Sequence, residues 1–465
     1  MSFVILGHCC KDGSCLQVCP QNCIHPAPGE PEFATVEHLY IDPVACINCS
    51  ACVDACPASA IKPEAALTEA EQVYALRSGE YFDLPPTRSP HTSKPAIPTA
   101  LGHNPIRVAI IGAGSAAMYT VRELLQRSSS VRITVFEQRS YVGGLLRTAV
   151  SPDHRGIRQM TRLFDVPFAD PRVETRFDTR VGVDVTIASL RSRYDAVVLA
   201  YGASRPREIA APAASDVHQA IDVLAGANAA HDESGAPVDL LAGPTAVIVG
   251  GGNVALDVAM GIARRRIVTR SGALVTRVII VARSSASRPS FTFSALHELS
   301  RLDVDIAVDT GGIPIDGACA DPLARLLAEH LGGDRPPTHS PRLSVELIFG
   351  HRVTALTSAG GHIRVDTEKA ESGDRVRLTA DSVITASGFT CEPLPGIPVG
   401  SDGAVCNKQG RVITPGSGEP IAGLYAVGWA KRGGRGGVGE NRRCAAQTVD
   451  MIVADTASLR GSPVM

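Results

Sequence analysis

Nine of the 13 cysteines in this 465-residue chain fall between residues 9 and 56. The most regular group is a run of the form Cys46-x2-Cys49-x2-Cys52-x3-Cys56-Pro57. Thiolates at this spacing wrap one [4Fe–4S] cube, and where two clusters occur together the fourth cysteine of each run ligates the other cluster. A tetrahedral zinc site is less well supported because it would leave the Cys-Pro end unexplained. The spacing predicts a [4Fe–4S] cluster with the ligands Cys19, Cys46, Cys49 and Cys52.

An earlier run keeps the same spacing but has Asp12 where the central cysteine is expected. One iron corner therefore lacks a thiolate, and the remaining ligands would be Cys9, Cys15 and Cys56. They would hold either a [3Fe–4S] cluster or a [4Fe–4S] cluster whose fourth iron takes an oxygen from Asp12 or water. The run resembles that of seven-iron ferredoxins, and this resemblance favours [3Fe–4S]. We interpret the leftover Cys10 and Cys23 as buried thiols, although Cys10 would replace Cys9 if the loop shifts.

Residues 107 to 137 predict a dinucleotide-binding turn. A short apolar strand leads into Gly112, Gly114 and Ala117 in a GxGxxA pattern, and a helical segment and a second strand ending on Glu137 follow. Gly112 permits a tight turn, Gly114 lets the backbone approach a pyrophosphate, and Ala117 keeps helix and strand close. The carboxylate of Glu137 can accept protons from ribose hydroxyls. We interpret this stretch as the seat of flavin adenine dinucleotide (FAD).

A second GxGxxA turn follows the apolar residues 246–249, and the next strand is followed by Arg283. An arginine at this place can bind the 2′-phosphate of NADP, whereas an NAD-preferring fold often has an acid there. The turn therefore predicts NADP, with NAD possible. The residues predicted to contact it are Gly250, Gly252, Asn253, Val254, Arg283 and Ser284.

The overall charge excludes two classes of partner. The formal net charge is -2 with 20% charged residues, so no global field attracts nucleic acid or an anionic membrane. No apolar run is long enough to cross a bilayer, and the first residues lack the pattern of a signal peptide. Crowded cysteines in a cytoplasmic protein indicate cofactors rather than disulfides. We expect a cytoplasmic protein without a membrane span.

These motifs predict an α+β ferredoxin module followed by an α/β two-domain flavoprotein with paired Rossmann-like dinucleotide-binding folds. We place the two-cluster ferredoxin domain at 1–62 and a Pro-rich linker at 63–105. Two apolar segments of similar sequence, residues 195–202 and 381–388, each end in a glycine. We interpret them as the points where the chain leaves one domain and returns to it. The FAD-binding domain is therefore expected at 106–203 and 389–465, with the NAD(P)-binding domain, 204–388, inserted into it.

From residue 107 onward the chain resembles the adrenodoxin reductase family of ferredoxin–NADP reductases. The resemblance rests on GAGSAAMYTVREL, LLRTAVSPDH, GGGNVALDVA, VARS and VGWAKRGGRGGVG. With the amino-terminal clusters, the whole chain resembles the bacterial fused ferredoxin/ferredoxin–NADP reductases. The resemblance implies that His154 and Asp257 lie near the isoalloxazine, where they tune it or relay a proton. It also implies that FAD is bound by Gly112, Gly114, Ala117, Glu137, Leu145, Leu146, Trp429, Gly436 and Val438.

The resemblance implies a hydride transfer from NADPH to FAD, followed by single-electron transfer to the fused clusters and to an external acceptor such as a ferredoxin or a cytochrome P450. Ser284 stands where the family commonly has a second arginine, so use of NADH remains open. Two other functions also remain open. One is a flavin/iron–sulfur electron-transfer subunit of a larger enzyme, like the small subunit of glutamate synthase. The other is an electron carrier without NAD(P)H activity.

Overall fold

The structure, a computed structural model, describes residues 2–83, 105–207, 209, 216–233, 237–312, 314–315, 321–331 and 343–461. The chain divides into two compact units. The first comprises Met1–Arg147, His154–Arg205 and Phe389–Met465, and the second comprises Thr148–Asp153 and Pro206–Gly388. The predicted linker prolines from 85 to 98 lie outside the described residues.

The amino-terminal segment contains two short antiparallel strand pairs and two short helices around a small core. The strands Phe3–Ile5 and Ile61–Pro63 pair with each other, as do Ile24–His25 and Tyr40–Ile41. Cysteines contribute to the core together with isoleucines and Phe33. The helices and 3-10 helices of the segment are Ser14–Val18, Pro31–Ala34, Ala51–Ala55, Glu64–Ala66, Glu69–Glu71 and Gln72–Asp83.

The rest of the first unit is organised around a seven-stranded sheet. Apart from the exposed Arg107, its central strands are apolar and buried, which is typical of a parallel sheet covered on both faces. The strand order is Asn407–Lys408, Arg411–Ile413, Pro420–Ala426, Ala196–Leu199, Arg107–Ile111, Arg132–Phe136 and Val173–Arg176. The helices are Ser115–Arg127, Leu145–Thr148, Arg155–Gln159, Asp165–Ala169, Ile187–Arg193, Gly428–Arg432 and Glu440–Gly461, with a 3-10 helix at Met160–Phe164. We call Glu440–Gly461 the carboxy-terminal helix.

The second unit is built on a six-stranded parallel sheet with the order Val217–Gln219, Ser382–Thr385, Thr245–Val249, Arg277–Val281, Leu343–Ile348 and Val304–Asp309. An antiparallel sheet of His351–Ala359, His362–Lys369 and Arg375–Ala380 packs on its core. The strands Val238–Leu241 and Ile267–Thr269 form a separate pair. The helices are Ala220–Glu233, Asn253–Ala263, Phe293–Ser300 and Pro322–Ala328. The short strands Arg205–Pro206 and Phe389–Thr390 occur where the chain passes between the units.

The observed architecture confirms the predicted fold class. Each GxGxxA turn joins a buried parallel strand to a helix, because the turn glycines follow Ile111 and Val249 directly. No helix within the described residues is both long and apolar enough to cross a membrane.

Candidate functional site

The first glycine turn leaves an open space at the start of the helix Ser115–Arg127. Gly112 has a φ of 94°, and a Cβ there would lie 2.9 Å from the carbonyl oxygen of Ala200, so only glycine fits. A Cβ on Gly114 would have no heavy atom within 4 Å. Ala117, in the first turn of the helix, is fully buried. An open turn at a helix N-terminus fits a pyrophosphate, since free N–H groups favour an anion.

Glu137 is held at the edge of this turn. It follows the strand Arg132–Phe136 and is 7% exposed. Its Oε2 accepts a hydrogen bond from the N–H of Ala113 at 2.7 Å, and its Oε1 accepts one from the N–H of Arg139 at 2.9 Å. The carboxylate is therefore fixed beside the turn, as required of the acid that binds the ribose in dinucleotide folds.

A second glycine pair lies directly on the first turn. The N–H of Gly143 donates to the carbonyl oxygen of Ala113 at 2.9 Å, and a Cβ on Gly144 would lie 3.1 Å from Cα of Gly114. The short helix that follows begins with Leu145, which is half-buried, and Leu146, which is buried. Both leucines thus lie next to the open turn.

The carboxy-terminal part of the chain closes on the same turn. Gly428 has a φ of 66°, and a Cβ there would lie 2.4 Å from Cβ of Ala116. The side-chain amide of Asn441 donates to Oγ of Ser115 at 2.9 Å. The glycine-rich stretch between Gly428 and Asn441 is therefore anchored at both ends to the helix of the first turn.

Trp429 stabilises that glycine-rich stretch. Its Nε1 donates to the carbonyl oxygen of Gly436 at 2.8 Å, and its ring stacks on Phe389 with the centroids 5.8 Å apart. Gly436 has a φ of 82°, and Val438 is half-buried. The structure thus brings the predicted FAD contacts of residues 112–146 and 429–438 together at one end of the seven-stranded sheet.

The second glycine turn repeats the geometry of the first within its own unit. A Cβ on Gly250 would lie 2.2 Å from the carbonyl oxygen of Ala386, whereas a Cβ on Gly252 would have no heavy atom within 4 Å. Asn253 begins the following helix, and its Oδ1 accepts a hydrogen bond from the N–H of Thr292 at 2.9 Å. This turn also fits a pyrophosphate.

Arg283 and Ser284 lie just beyond the strand Arg277–Val281, which is the neighbour of the strand before the second turn. Arg283 is exposed. Oγ of Ser284 is buried and has no hydrogen-bond partner within the described residues. An exposed guanidinium is suited to phosphate oxygens, and a hydroxyl can donate a hydrogen bond to one.

The two predicted catalytic residues belong to different units. His154 is half-buried and directly precedes the helix Arg155–Gln159 in the first unit. Asp257 is 8% exposed on the helix Asn253–Ala263 of the second unit, in which Val254 is half-buried. Asp257 thus shares its helix with the predicted cofactor contacts Asn253 and Val254, and His154 follows the predicted contact Leu146 by eight residues.

The four predicted ligands of the second cluster line a small cavity that opens to solvent. Within the described part of the chain, no group of three or more His, Cys, Asp or Glu side chains is arranged to hold a single metal ion. Thiols spread around a cavity suit a cluster of several irons better than one zinc, which holds its sulfurs at about 2.3 Å. Cys23 also lines the cavity, with its Sγ 3.4 Å from that of Cys19. We call the four predicted ligands the second seat: Cys19, Cys46, Cys49 and Cys52.

The first seat consists of Cys9, Asp12, Cys15 and Cys56. Backbone N–H groups donate to two of its sulfurs, from Lys11 to Cys9 at 3.4 Å and from Ala60 to Cys56 at 3.2 Å. Burial raises the pKa of the Cys9 thiol to about 11, and burial also raises the pKa values of Cys15 and Cys56. Iron binding must therefore displace protons here. Three thiols, two of which accept hydrogen bonds from backbone N–H groups, fit an iron–sulfur cluster.

Asp12 differs from the three cysteines because its oxygens are already engaged. Oδ1 accepts from the N–H of Ser14 at 3.0 Å, and Oδ2 accepts from the hydroxyl of Ser14 at 2.6 Å. The guanidinium of Arg442, on the carboxy-terminal helix, lies 3.6 Å from Oδ2. Sequence reasoning missed Arg442, and no local signal marks it, because it follows the glycine-rich stretch without belonging to a motif.

The chain matches the family model described as "Pyridine nucleotide-disulphide oxidoreductase" over residues 106–311 and the "4Fe-4S dicluster domain" over residues 8–60. A protein of Mycobacterium bovis named "Probable ferredoxin/ferredoxin--NADP reductase" is 35% identical over an alignment, gaps included, of 488 positions that covers 98% of this chain and 84% of that protein. The chain belongs to the ferredoxin/ferredoxin–NADP reductase family. This confirms the family that the sequence motifs predict.

Other members and relatives of the ferredoxin/ferredoxin–NADP reductase family match a shorter part of the chain. The cindoxin reductase of Citrobacter braakii is 31% identical over 366 residues, which span 76% of this chain and 78% of that protein. The solved structure "Mycobacterium tuberculosis FprA in complex with NADPH" is 27% identical, with a TM-score of 0.66, and the match covers 77% of this chain and 86% of FprA. The structural match supports the paired dinucleotide-binding folds.

Proposed function

We propose that the chain is an NAD(P)H:ferredoxin oxidoreductase, in which a hydride passes from NADPH to FAD and single electrons then pass to the iron–sulfur clusters of the same chain and to an external acceptor. The observation that carries this proposal is the presence of two open glycine turns and two cluster seats in one chain. FAD supplies the conversion of a two-electron donor into one-electron steps. The protein supplies binding and orientation.

The FAD site is proposed at the first glycine turn. The open space at Gly114 would take the pyrophosphate, and Glu137 would bind the ribose. Leu145, Leu146, Trp429, Gly436 and Val438 would surround the remainder, because all lie on segments fixed to that turn. His154 and Asp257 are proposed to tune the isoalloxazine or relay a proton. The corresponding FAD-binding domain is 106–203 with 389–465, and the NAD(P)-binding domain is 204–388.

The nicotinamide dinucleotide is proposed to bind at the second turn. Gly250, Gly252 and the start of the helix at Asn253 would hold the pyrophosphate. The exposed Arg283 supports NADP, since a guanidinium can bind a 2′-phosphate, and Ser284 stands where the family commonly has a second arginine. A single arginine leaves room for NADH as a weaker donor.

The second seat is proposed to hold a [4Fe–4S] cluster and the first seat a [3Fe–4S] cluster. The resemblance of the first run to that of seven-iron ferredoxins supports [3Fe–4S] over an Asp12-ligated cube, and hydrogen bonds from Ser14 hold both carboxylate oxygens of Asp12. The acceptor is proposed to be a one-electron carrier such as a ferredoxin or a cytochrome P450. The crowded cysteines fit a cytoplasmic location.

The test is anaerobic purification followed by flavin and iron counts and by mixing with NADPH or NADH. We expect one FAD and about seven irons per chain, bleaching of the flavin band by NADPH, and slower bleaching by NADH. Absence of bleaching by both donors would favour a carrier without NAD(P)H activity. Copurification with a large catalytic subunit would favour the electron-transfer subunit of a larger enzyme.

A further inference from the structure

Arg442 links the first seat to the part of the same unit that contains the proposed flavin contacts, residues 112–146 and 429–438. We call this part the flavin side. One guanidinium nitrogen, Nη1, donates to the carbonyl oxygen of Asp12 at 3.1 Å and to the hydroxyl of Ser14 at 2.9 Å. The other, Nη2, donates to Oε1 of Gln17 at 2.9 Å. The side chain is only 17% exposed. Arg442 therefore binds three groups at once: the backbone at Asp12, the side chain of Ser14 at the start of the helix Ser14–Val18, and the side chain of Gln17 in the same helix.

The backbone beside Arg442 meets the same loop. A Cβ on Gly439 would lie 1.8 Å from the carbonyl oxygen of Cys10 and 2.5 Å from the backbone nitrogen of Asp12. Gly439 ends the glycine-rich stretch that contains the proposed flavin contacts Gly436 and Val438. The close approach of the two backbones leaves no room for a side chain between this stretch and the first seat.

A second contact joins the first seat to the flavin side from another direction. A Cβ on Gly156 would lie 2.1 Å from the carbonyl oxygen of Ala58, two residues after the ligand Cys56. Gly156 belongs to the short helix that follows His154. The first seat is thus held at the Cys10–Asp12 loop and at the end of its last ligand.

The second seat, in contrast to the first, is exposed to solvent. Cys49 is exposed, Ile47 at the same cavity is 57% exposed, and Val44, two residues before the ligand position Cys46, is 93% exposed. The cavity of the second seat has no charged side chain in its lining. An exposed apolar rim around a redox cavity is suited to an apolar face of a partner protein, since large apolar side chains are favoured at the centre of interfaces.

We propose that Arg442 is a positioning residue that fixes the first seat against the flavin side, and that the rim of the second seat, Val44 and Ile47, is where an external one-electron carrier protein docks through an apolar face. This inference rests on the proposed function. The electrons balance: each NADPH gives two electrons in its hydride and leaves NADP⁺, two acceptor molecules take one electron each, and one proton is released.

The positioning role is tested by hydrogen–deuterium exchange on the anaerobic holoprotein. In Arg442→Glu, amides of residues 8–17 should exchange at least severalfold faster, because three hydrogen bonds are lost and a carboxylate faces Asp12, while amides of residues 44–54 keep the wild-type rate. Arg442→Lys should restore part of the protection. Arg193→Glu is the matched control, because Arg193 is exposed and donates hydrogen bonds to Ser189 within its own helix.

Unchanged exchange at residues 8–17 in Arg442→Glu, with iron and flavin retained, would overturn the positioning role. Equal acceleration at both seats would overturn it as well, since that would be a general loosening. If Arg442→Glu does not fold, Arg442→Lys and Gln17→Ala provide the same comparison with smaller changes.

The docking surface is tested with cytochrome c as the acceptor. The double variant Val44→Ser/Ile47→Ser should raise the KM for cytochrome c roughly fivefold to tenfold, without changing iron content or the rate at which NADPH bleaches the flavin. Val183→Ser is the matched control, because Val183 is 69% exposed elsewhere in the unit. An unchanged KM would overturn the docking proposal. Failure of NADPH to bleach wild-type flavin would instead contradict the proposed function, so the two failures are distinguishable.

Discussion

The two cluster seats share one backbone and differ in what surrounds them. Each cysteine run contains a short helix, Ser14–Val18 in the first and Ala51–Ala55 in the second. Each helix begins one residue before the third ligand position of its run, which is Cys15 or Cys52. Two residues after the first cysteine of each run, Lys11 and Asn48 have φ values of 56° and 57°. The residue before each helix, Gly13 or Ser50, is also left-handed. The path of the chain is therefore independent of the missing thiolate.

The environments of the seats differ most at the position that changes chemistry. The side chain of Asp12 is 5% exposed, whereas its counterpart Cys49 is exposed. The carboxylate is buried because Ser14 donates to it and Arg442 covers it. A buried carboxylate needs such partners. In the first seat, the position that lacks a cysteine ligand, Asp12, is therefore also the position that Arg442 contacts from the flavin side.

The largest effect should come from filling the space between the first seat and the glycine-rich stretch. In Gly439→Ala the new methyl group would overlap the carbonyl oxygen of Cys10, and such overpacking costs about 1–3 kcal/mol. We expect a lower midpoint in a thermal scan and loss of the first cluster before the second on mild heating. Gly437→Ala is the control, since a Cβ there meets nothing within 4 Å. Equal midpoints for the two variants would contradict the close contact.

An intermediate effect should follow from making the seats alike. Asp12→Cys restores a thiolate at the position of Cys49, so iron should rise from about seven to about eight per chain, and the electron paramagnetic resonance signal of an oxidised [3Fe–4S] cluster should disappear. Loss of the hydrogen bonds from Ser14 should cost about 1 kcal/mol. In Asp12→Asn, which keeps an acceptor oxygen, iron should stay at about seven. About eight irons in the wild-type protein would instead indicate an oxygen-ligated cube.

The cysteine runs and the glycine turns can be recognised in the sequence because the chemistry that they suit fixes their spacing within a short stretch. Cys46 to Cys56 and Gly112 to Ala117 each span only a few residues, and the turn glycines are required by steric contacts with Ala200 and Ala386. The family and the fold were predicted on this basis and are confirmed. The roles of individual site residues remain predictions.

The attachment of the first seat is not predictable in this way. The contact of Arg442 with Asp12 joins residues more than four hundred positions apart, and an arginine on a helix carries no local sign of its partner. The short segment Thr148–Asp153 is similar. It belongs to the second unit because the side-chain amide of Asn228 donates to the carbonyl oxygens of Thr148 and Val150 at 3.0 and 2.9 Å, and because Arg266 lies 2.7 Å from Asp153.

The smallest and most specific effect concerns Tyr119, on the helix Ser115–Arg127. Its side chain is 1% exposed, and its hydroxyl has no hydrogen-bond partner within the described residues. Burial raises the pKa of Tyr119, and the charges of Asp12 and Cys10 raise it further. A buried hydroxyl without a partner is costly, and a cluster sulfur would provide an acceptor.

Hydrogen bonds to cluster sulfurs raise the reduction potential. Tyr119→Phe should therefore lower the midpoint potential of the first cluster in a redox titration followed by electron paramagnetic resonance, while the second cluster, in the same molecule, serves as the internal control. Tyr141→Phe is a second control, because Tyr141 is 37% exposed. A parallel shift of both clusters would mean that the substitution acts through general loosening, and no shift would mean that the hydroxyl does not reach the first seat. Only a shift confined to the first cluster is consistent with a seat that the flavin side both holds and tunes.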